Sequence, residues 1–493
     1  MNPIPTDTLP QPAPTVSADS PTAALGAPGP PGERQAAATP APLTPEDLVD
    51  PFTGVIRSVR EVPHPPGAPA AYLALTASVA DARMLGEWPA DRVSLGTSFG
   101  DASAARIAAI AEGAERYCGN FLPDPLPPHD FFTGTRGELV GSGHPALETH
   151  ELPTHATWQA RRPGFPYTTL GEDTPALWAR CLDDGGNEVW VPDALVHLNW
   201  RQARFRHLPR THHLNYAGIA TGQGVQDARD RGLLEVIERD ALELWWHLDG
   251  PARGIDVDSV PGLRQDLEGC ALEVWLVQMP SEFAPCVAAL TFDAARGIYA
   301  AGFSCALDPA RAARKAVLEA VHTWIYTQGT LEADGWVYRA VERGLMARGL
   351  YLEHRPERDY AAQAGAQFEN VIDLGAHVQV WLDPSVHALA ARFREPALGT
   401  VGVEALESPT LGQVRARLAA GGHREIYRDL TTRDVAMTPL RVVRTLVTGL
   451  VPNAPAAFAY LGMDRFASAA RERGWPVPRQ GPEGFTLVPP PHM

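Results

Sequence analysis

The sequence predicts an α+β fold: a single large domain of helices packed on mixed β-sheets, with an internal near-duplication and a disordered N-terminal tail. Three observations predict it. Strand-length apolar runs alternate with longer runs of helical period, which layers helices on sheets. A charged segment, Glu112-x-x-Glu115-Arg116, returns as Glu235-x-x-Glu238-Arg239 in matched surroundings. Beyond residue 79 the composition is even and shows no linker, whereas residues 1–45 are dominated by Pro, Ala, Thr and Ser.

Residues 1–45 cannot bury enough apolar surface to offset the entropy of ordering them, so they are expected to form a disordered tail. Order is expected to begin at Thr44-Pro45-Glu46-Asp47-Leu48, where Pro takes the first position of a helical turn. Residues 46–90 then extend the core, with a strand over Ala70–Val79, and residues 91–493 form the main domain. Further strands are expected over 188–191, 272–277, 286–292, 378–382 and 441–447. Helices are expected over 102–117, 226–247, 308–329, 334–350 and 387–395.

The repeated segment carries the chemistry. Positions three and four apart share a helix face, so each copy projects two carboxylates and a guanidinium together. Gly96-Thr97-Ser98-Phe99-Gly100 precedes the first copy and Thr221-Gly222-Gln223-Gly224 the second, and Ala105 and Ala228 stand at equal offsets before the first Glu. Both glycine-rich stretches are expected to be turns. A glycine turn feeding an acidic helix, used twice, can build the two halves of a site for Mg²⁺ and phosphate. The plainer reading is a solvated face of Glu–Arg pairs. Against it, apolar residues crowd the second copy, Gly232-Leu233-Leu234-Glu235-Val236-Ile237-Glu238-Arg239, and buried carboxylates are costly unless paired or holding a cation. A third helix begins at Asp308-Pro309 and sets Glu319 alone among apolar residues, where it either joins the site or pairs with a cation.

Composition narrows the function. A net charge of −16, from 42 Lys+Arg against 58 Asp+Glu, disfavours non-specific binding to nucleic acid or an anionic membrane. No apolar run reaches transmembrane length and no signal peptide is evident, so a cytoplasmic protein is expected. Cys118, Cys181, Cys270, Cys286 and Cys305 form neither a CxxC pair nor a disulfide framework and are expected to be reduced, mostly buried thiols. His212-His213, with no second ligand cluster at a usable spacing, is expected at a surface or turn. Trp245-Trp246 is expected in the core rather than as a base-stacking platform.

The run Asp227-Ala228-Arg229-Asp230-Arg231-Gly232-Leu233-Leu234-Glu235-Val236-Ile237-Glu238-Arg239-Asp240-Ala241, with the first Glu-x-x-Glu-Arg helix and the Glu319 helix, resembles the YcaO family. Tyr427-Arg428-Asp429-Leu430-Thr431-Thr432 and the stretch 440–450 resemble the end of members that act in azole biosynthesis, so the likeness covers about residues 90–493. It implies an α+β domain with an internal near-duplication and an ATP site lined by acidic helices. It implies an ATP- and Mg²⁺-dependent cyclodehydratase that makes thiazoline or oxazoline rings in a ribosomally made peptide by phosphorylating a backbone amide oxygen. Carried over by motif, Glu112, Glu115, Glu235 and Glu238 hold Mg²⁺ or order its waters. Arg116 and Arg239 face phosphates or lock the carboxylates. Ser98, Asp227 (where the family has Glu) and Glu319 contact the nucleotide. The Val488-Pro489-Pro490-Pro491-His492-Met493 end resembles the proline-rich ends of azoline-forming members, whose terminal carboxylate reaches the active site; here that is Met493. The alternative is an unstructured end in a chain of 47 prolines.

The resemblance also implies partners: a precursor peptide, an E1-like or leader-binding protein to present it, since no such module is evident before residue 90, and a flavin azoline dehydrogenase. A homodimer stays open. The match breaks at Ala108 in place of Ser, at the glycine turn without its Lys, at Arg231, and in the third helix, where His322 and Trp324 replace Gln and Arg. Trp cannot replace Arg electrostatically. These departures leave two alternatives: a nucleotide-deficient scaffold that binds a peptide or partner enzyme, and a thioamide-forming enzyme, which the proline-rich end disfavours.

Overall fold

The computed structural model describes residues 42–80, 93–201, 203–344 and 346–493. Residues 1–41 of the expected tail and 81–90 of the expected extension lie outside them. Leu43–Met493 form one compact unit. A short helical turn at Pro45–Leu48, entered from Thr44, stands where the sequence placed the first ordered residues.

Three sheets organise the chain. The first pairs β1 (Ile56–Glu61), β2 (Tyr72–Val79) and β3 (Val93–Phe99) in that order. Its last strand runs into the first long helix, α1 (Ala102–Asn120). The second sheet has the order β4-β5-β13-β14-β7, from β4 (Phe131–Gly134), β5 (Ala176–Asp183), β7 (Ile219–Gln223), β13 (Glu425–Asp429) and β14 (Leu440–Val447), with β6 (Glu188–Pro192) also paired to β5. From β7 the chain enters the second long helix, α2 (Val225–His247). The third sheet has the order β11-β10-β9-β8-β12, from β8 (Arg253–Ile255), β9 (Glu273–Met279), β10 (Cys286–Asp293), β11 (Ile298–Cys305) and β12 (Thr400–Val401). Following β11 comes the third long helix, α3 (Pro309–Gln328).

The near-duplication is therefore a strand-turn-helix unit used three times: β3-α1, β7-α2 and β11-α3. Each of these strands is the edge of its sheet. Each also carries a glycine where the helix approaches too closely for a side chain. A Cβ on Gly96 would lie 1.9 Å from the Ala105 carbonyl oxygen, on Gly222 2.2 Å from the Ala228 nitrogen, and on Gly302 2.2 Å from the Ala316 carbonyl oxygen. This corrects the expected glycine turns. Gly96–Phe99 and Thr221–Gln223 are strand, and only Gly100 (φ 75°) and Gly224 (φ 95°) turn the chain into the helix.

Two other expectations are overturned. The run Val378–Leu382 is not a strand: His377–Val380 is a helical turn, its apolar residues buried on every side. A short apolar run has no periodicity that separates the two states. The run 334–350 is helical only over Trp336–Glu342, with Gly344 at φ 68° just past its end. Trp245 and Trp246 are core residues, as expected. All five cysteines are free thiols, four of them buried. Among the described residues no helix is long and apolar enough to cross a membrane.

Candidate functional site

The three long helices start from local signals. Asp101 caps α1 by accepting the Ala104 N–H at 2.9 Å, and Asp308 caps α3 by accepting the Ala310 N–H at 3.0 Å ahead of Pro309. Seven residues past Ala105 and Ala228, both fully buried against their strands, come Glu112 and Glu235. The repeat in sequence becomes a repeat in bonding. Glu112 accepts the Leu95 N–H of its own strand at 3.3 Å, and Glu235 accepts the Gly218 N–H, just before its own strand, at 3.0 Å. The second carboxylate of each pair reaches the next unit: Glu115 accepts Thr221 N–H on β7 at 2.6 Å, and Glu238 accepts Cys305 N–H on β11 at 2.9 Å. Edge strands have backbone donors that no neighbouring strand pairs, and four carboxylates satisfy them here.

The remaining carboxylate oxygens face guanidinium groups. Arg116 bonds Glu112 at 3.0 Å and lies over the Tyr216 ring, 4.1 Å from its centroid. Arg239 lies 3.5 Å from Glu235 and 3.2 Å from Glu238, so it bridges both carboxylates of its own pair. Its Nη1 makes the ion pair with Glu238, and its Nε is buried without a hydrogen-bond partner. Burial, reinforced by the charge of Glu112, pushes the Glu115 carboxyl up to about 8. Burial likewise pushes Glu238 up to about 7, against the pull of Arg239 and with the push of Glu319. For Arg239 burial disfavours the charge, but Glu238, Glu235 and Glu319 overcome it and hold the guanidinium above its usual range.

The third helix closes the row. Glu319 pairs with Lys315 one turn earlier, at 3.5 Å. Burial pushes His322 down to about 4, so it is a neutral imidazole at pH 7. Trp324 is turned into the core, its indole N–H donating to Asp293 at 3.0 Å, and it contributes no charge to the site.

Other expected site residues lie further out. Ser98 is the last residue but one of β3, and its hydroxyl donates to the Asp101 carbonyl. Asp227 sits on the first turn of α2, accepting the Gln223 N–H at 2.9 Å and Arg231 Nε at 3.1 Å. Eight residues separate it from Glu235, about 12 Å along a helix. The proline-rich end is ordered. The indoles of Trp246 and Trp381 donate to the Val488 and Pro489 carbonyls at 2.6 and 2.7 Å, and the Ala301 N–H on the edge of β11 donates to Pro491 at 2.6 Å. Prolines 489–491 are buried, and Met493 packs against the cluster of Tyr326, Val337 and Val378. Burial, then the charge of Arg239, pushes His492 well below the usual histidine range. The strap therefore ends beside the acidic helices.

Sequence reasoning missed Lys315, although its spacing from Glu319 was available. His212 is buried and His213 half-buried in the irregular segment that leads to β7, where His213 meets the Tyr167 hydroxyl at 2.7 Å. Arg239 also forms part of the wall of an apolar hollow lined by Leu152, Leu195, Ile426, Leu446 and Leu450.

Among the described residues no three His, Cys, Asp or Glu form a ready-made metal cage. Mg²⁺ does not need one, because it is commonly held by one or two carboxylates together with nucleotide phosphates. The row of carboxylates and the guanidinium of Arg239, whose Nε is buried without a hydrogen-bond partner, suit such a pair of ligands.

Solved structures show the same architecture. A heterocyclase in complex with substrate and cofactor aligns with a TM-score of 0.64 at 16% identity, over 91% of this chain and 57% of its own. The heterocyclase TruD aligns with a TM-score of 0.52 at 16% identity, over 78% of this chain and 50% of its own. YcaO from Methanopyrus kandleri, bound with AMPPCP and Mg²⁺, aligns with a TM-score of 0.50 at 20% identity, over 81% of this chain and 90% of its own. The chain thus spans about half the length of the two heterocyclases. No curated protein matches the sequence. A family model described as YcaO cyclodehydratase, ATP- and Mg²⁺-binding, matches residues 99–451, and the chain belongs to the YcaO family.

Proposed function

We propose that this protein is an ATP- and Mg²⁺-dependent cyclodehydratase that forms thiazoline or oxazoline rings in a ribosomally made peptide. The observation that carries the reading is Arg239, bridging Glu235 and Glu238 while its buried Nε has no hydrogen-bond partner. A buried guanidinium with an orphaned donor suits an anion in a site otherwise rich in carboxylate. ATP with Mg²⁺ would supply the phosphoryl group that makes the amide oxygen a leaving group.

The chain's own residues divide the remaining work. Glu112, Glu115, Glu235 and Glu238 hold the cation or its waters, each already oriented by a backbone N–H. Arg239 and Arg116 neutralise phosphate charge, and Glu319, Asp227 and Ser98 complete the nucleotide's surroundings. The Met493 carboxylate, at the end of the ordered strap, would take the proton from the attacking Cys, Ser or Thr side chain of the substrate as it closes on the carbonyl carbon. The former amide oxygen would then leave as phosphate as the C–O bond breaks, while the former amide nitrogen gives up its proton and forms the C=N bond of the ring. Partners in this reading are a precursor peptide, an E1-like or leader-binding protein and a flavin azoline dehydrogenase, with a homodimer as one assembly. The free cysteines accord with a cytoplasmic setting.

Calorimetry with ATP and Mg²⁺, on the wild type and Glu235→Ala, tests the site; unchanged affinity in the variant counts against it. ATP turnover with a Cys/Ser/Thr-rich precursor and its presenting partner, read by the loss of one water per ring, tests the reaction. The position of Trp324, turned into the core where the family has Arg, favours a second reading. In it the chain is a scaffold that binds a peptide or partner enzyme without nucleotide chemistry. Absence of ATP binding in the wild type would favour that reading.

A further inference from the structure

Each ring sets two protons loose, one from the attacking thiol or hydroxyl and one from the amide nitrogen, and the Met493 carboxylate answers for the first. The strap carries a second acceptor beside it. It runs along the open edge of β11, where the Ala301 N–H donates to the Pro491 carbonyl at 2.6 Å. The next strap residue, His492, packs its ring edge-on against Phe303, with ring centroids 5.0 Å apart. Two residues beyond Phe303, the Cys305 N–H is bonded to Glu238 at 2.9 Å. His492 therefore stands between the strap's anchor on Ala301 and the joint that Glu238 makes with the edge of β11. Its backbone is fixed, the N–H donating to the Pro490 carbonyl at 2.8 Å and the chain bonded to His377. Its ring is not tied in this way. Burial and then the charges of Arg239, His377 and His322 act on it, and among the described residues no hydrogen bond joins them. Together they keep the imidazole neutral at pH 7, which is the form that accepts a proton.

We propose that His492 is a second catalytic base, the group that takes the amide proton as the C=N bond of the ring forms. The inference rests on the cyclodehydratase reading above. The N–H bond breaks towards the imidazole and its electron pair becomes the C=N bond. The C–O bond breaks in turn, and its pair leaves on the phosphate. The imidazolium then gives its proton to water. Phosphate bound at Arg239 offsets the charge that weakens the ring, so the base strengthens once the nucleotide is in place. Adjacent residues of one strap thus serve the two protons of one ring.

His492→Phe keeps a ring on Phe303 and removes the base, so it should melt with the wild type and bind ATP equally well. Rapid quench with ATP, Mg²⁺, a Cys/Ser/Thr-rich precursor and its presenting partner separates the steps. ADP should form in the first turnover as fast as in the wild type, whereas phosphate release and ring formation should slow about 100-fold. In His492→Ala, added imidazoles should restore ring formation in the order of their base strength. Restoration in the order of their size overturns the proposal, because it marks a packing role. Rings formed at the wild-type rate in His492→Phe overturn it too, as does first-turnover ADP that slows in step with the rings. Those results leave the cyclodehydratase reading standing wherever the wild type makes rings. A wild type that forms neither rings nor ADP overturns both.

Discussion

Glu115 on α1 accepts the backbone N–H of Thr221 on β7 at 2.6 Å, so the first acidic helix is bonded to the strand that feeds the second. Glu238 repeats the relation one unit later, with Cys305 on β11. The metal-binding candidates are therefore also the joints between units, and substitutions at them have two readouts. Glu115→Ala should cost about 1–3 kcal/mol of stability by orphaning the Thr221 donor, and should also weaken Mg²⁺–ATP binding. Glu115→Gln, which still accepts the N–H, should keep most of the stability and lose the binding. Thermal unfolding and calorimetry on the two variants check this; equal stability in both would refute the joint.

Arg239 is held by geometry as well as charge. Lysine has one ammonium and cannot span two carboxylates and still face an anion. Arg239→Lys should therefore weaken ATP binding by about tenfold or more. Affinity measured at two salt concentrations checks the claim, since a buried contact should resist screening better than a surface one.

Arg444 offers a stability test away from the chemistry. It is 1% exposed and donates to the carbonyls of Val196, Asn215 and Ala217 at 2.6–3.0 Å, tying β14 to the approach to β7. Burial pulls its guanidinium down to about 9. Arg444→Met should destabilise by about 3 kcal/mol or more, because three buried acceptors lose their donor together. Denaturant unfolding measures it, and a loss below that of an ordinary surface substitution would contradict it.

Acid should loosen the fold before it protonates most carboxylates. Burial pushes His155 down to about 3, with neighbouring His212 adding to the effect, and pushes His212 and His213 down to about 4. Their folded values lie below the unfolded value near 6.5, so the unfolded chain binds more protons in between. Their contribution to stability is present above about pH 6.5 and is lost as pH falls towards 4. The melting temperature should drop by on the order of 5 °C across that window, and His155→Gln should flatten the slope. A melting temperature constant from pH 6.5 to 4.5 would argue that these imidazoles do not titrate on unfolding.

The strap gives a prediction that separates binding from ring formation. Removing the last five residues deletes the acceptors for the Trp381 and Ala301 donors and the chain end beside Arg239. ATP affinity should persist while ring formation falls sharply. Parallel loss of both would assign the strap to the fold alone.

The long helices were legible almost to the residue. The expected runs 226–247 and 308–329 correspond to Val225–His247 and Pro309–Gln328, because helical period and cap residues agree there. Strands β3, β7 and β11 were hidden for one physical reason. Each spends a position on a glycine that lets a helix approach, and glycine-rich runs read as turns. The carboxylates were found because they repeat, but their bonds to backbone donors could not be, since the donors lie 17 to 106 residues away. Lys315 escaped because one charge on an exposed helical face carries no pattern of its own. The partners of the histidine pair, Tyr167 and Tyr460, could not be read because they are distant in sequence.

A carboxylate that both binds a cation and closes a sheet edge cannot be discarded when chemistry is no longer needed. Substitution at Glu112, Glu115, Glu235 or Glu238 would thus disturb the sheet edges as well as the proposed cation site. Change is tolerated instead where a side chain carries only an outer contact and can be turned into the core, as at Trp324. In a lineage built on this joint, activity can fade from the rim inward while the centre keeps its letters, so the rim is where active and silent descendants should be told apart.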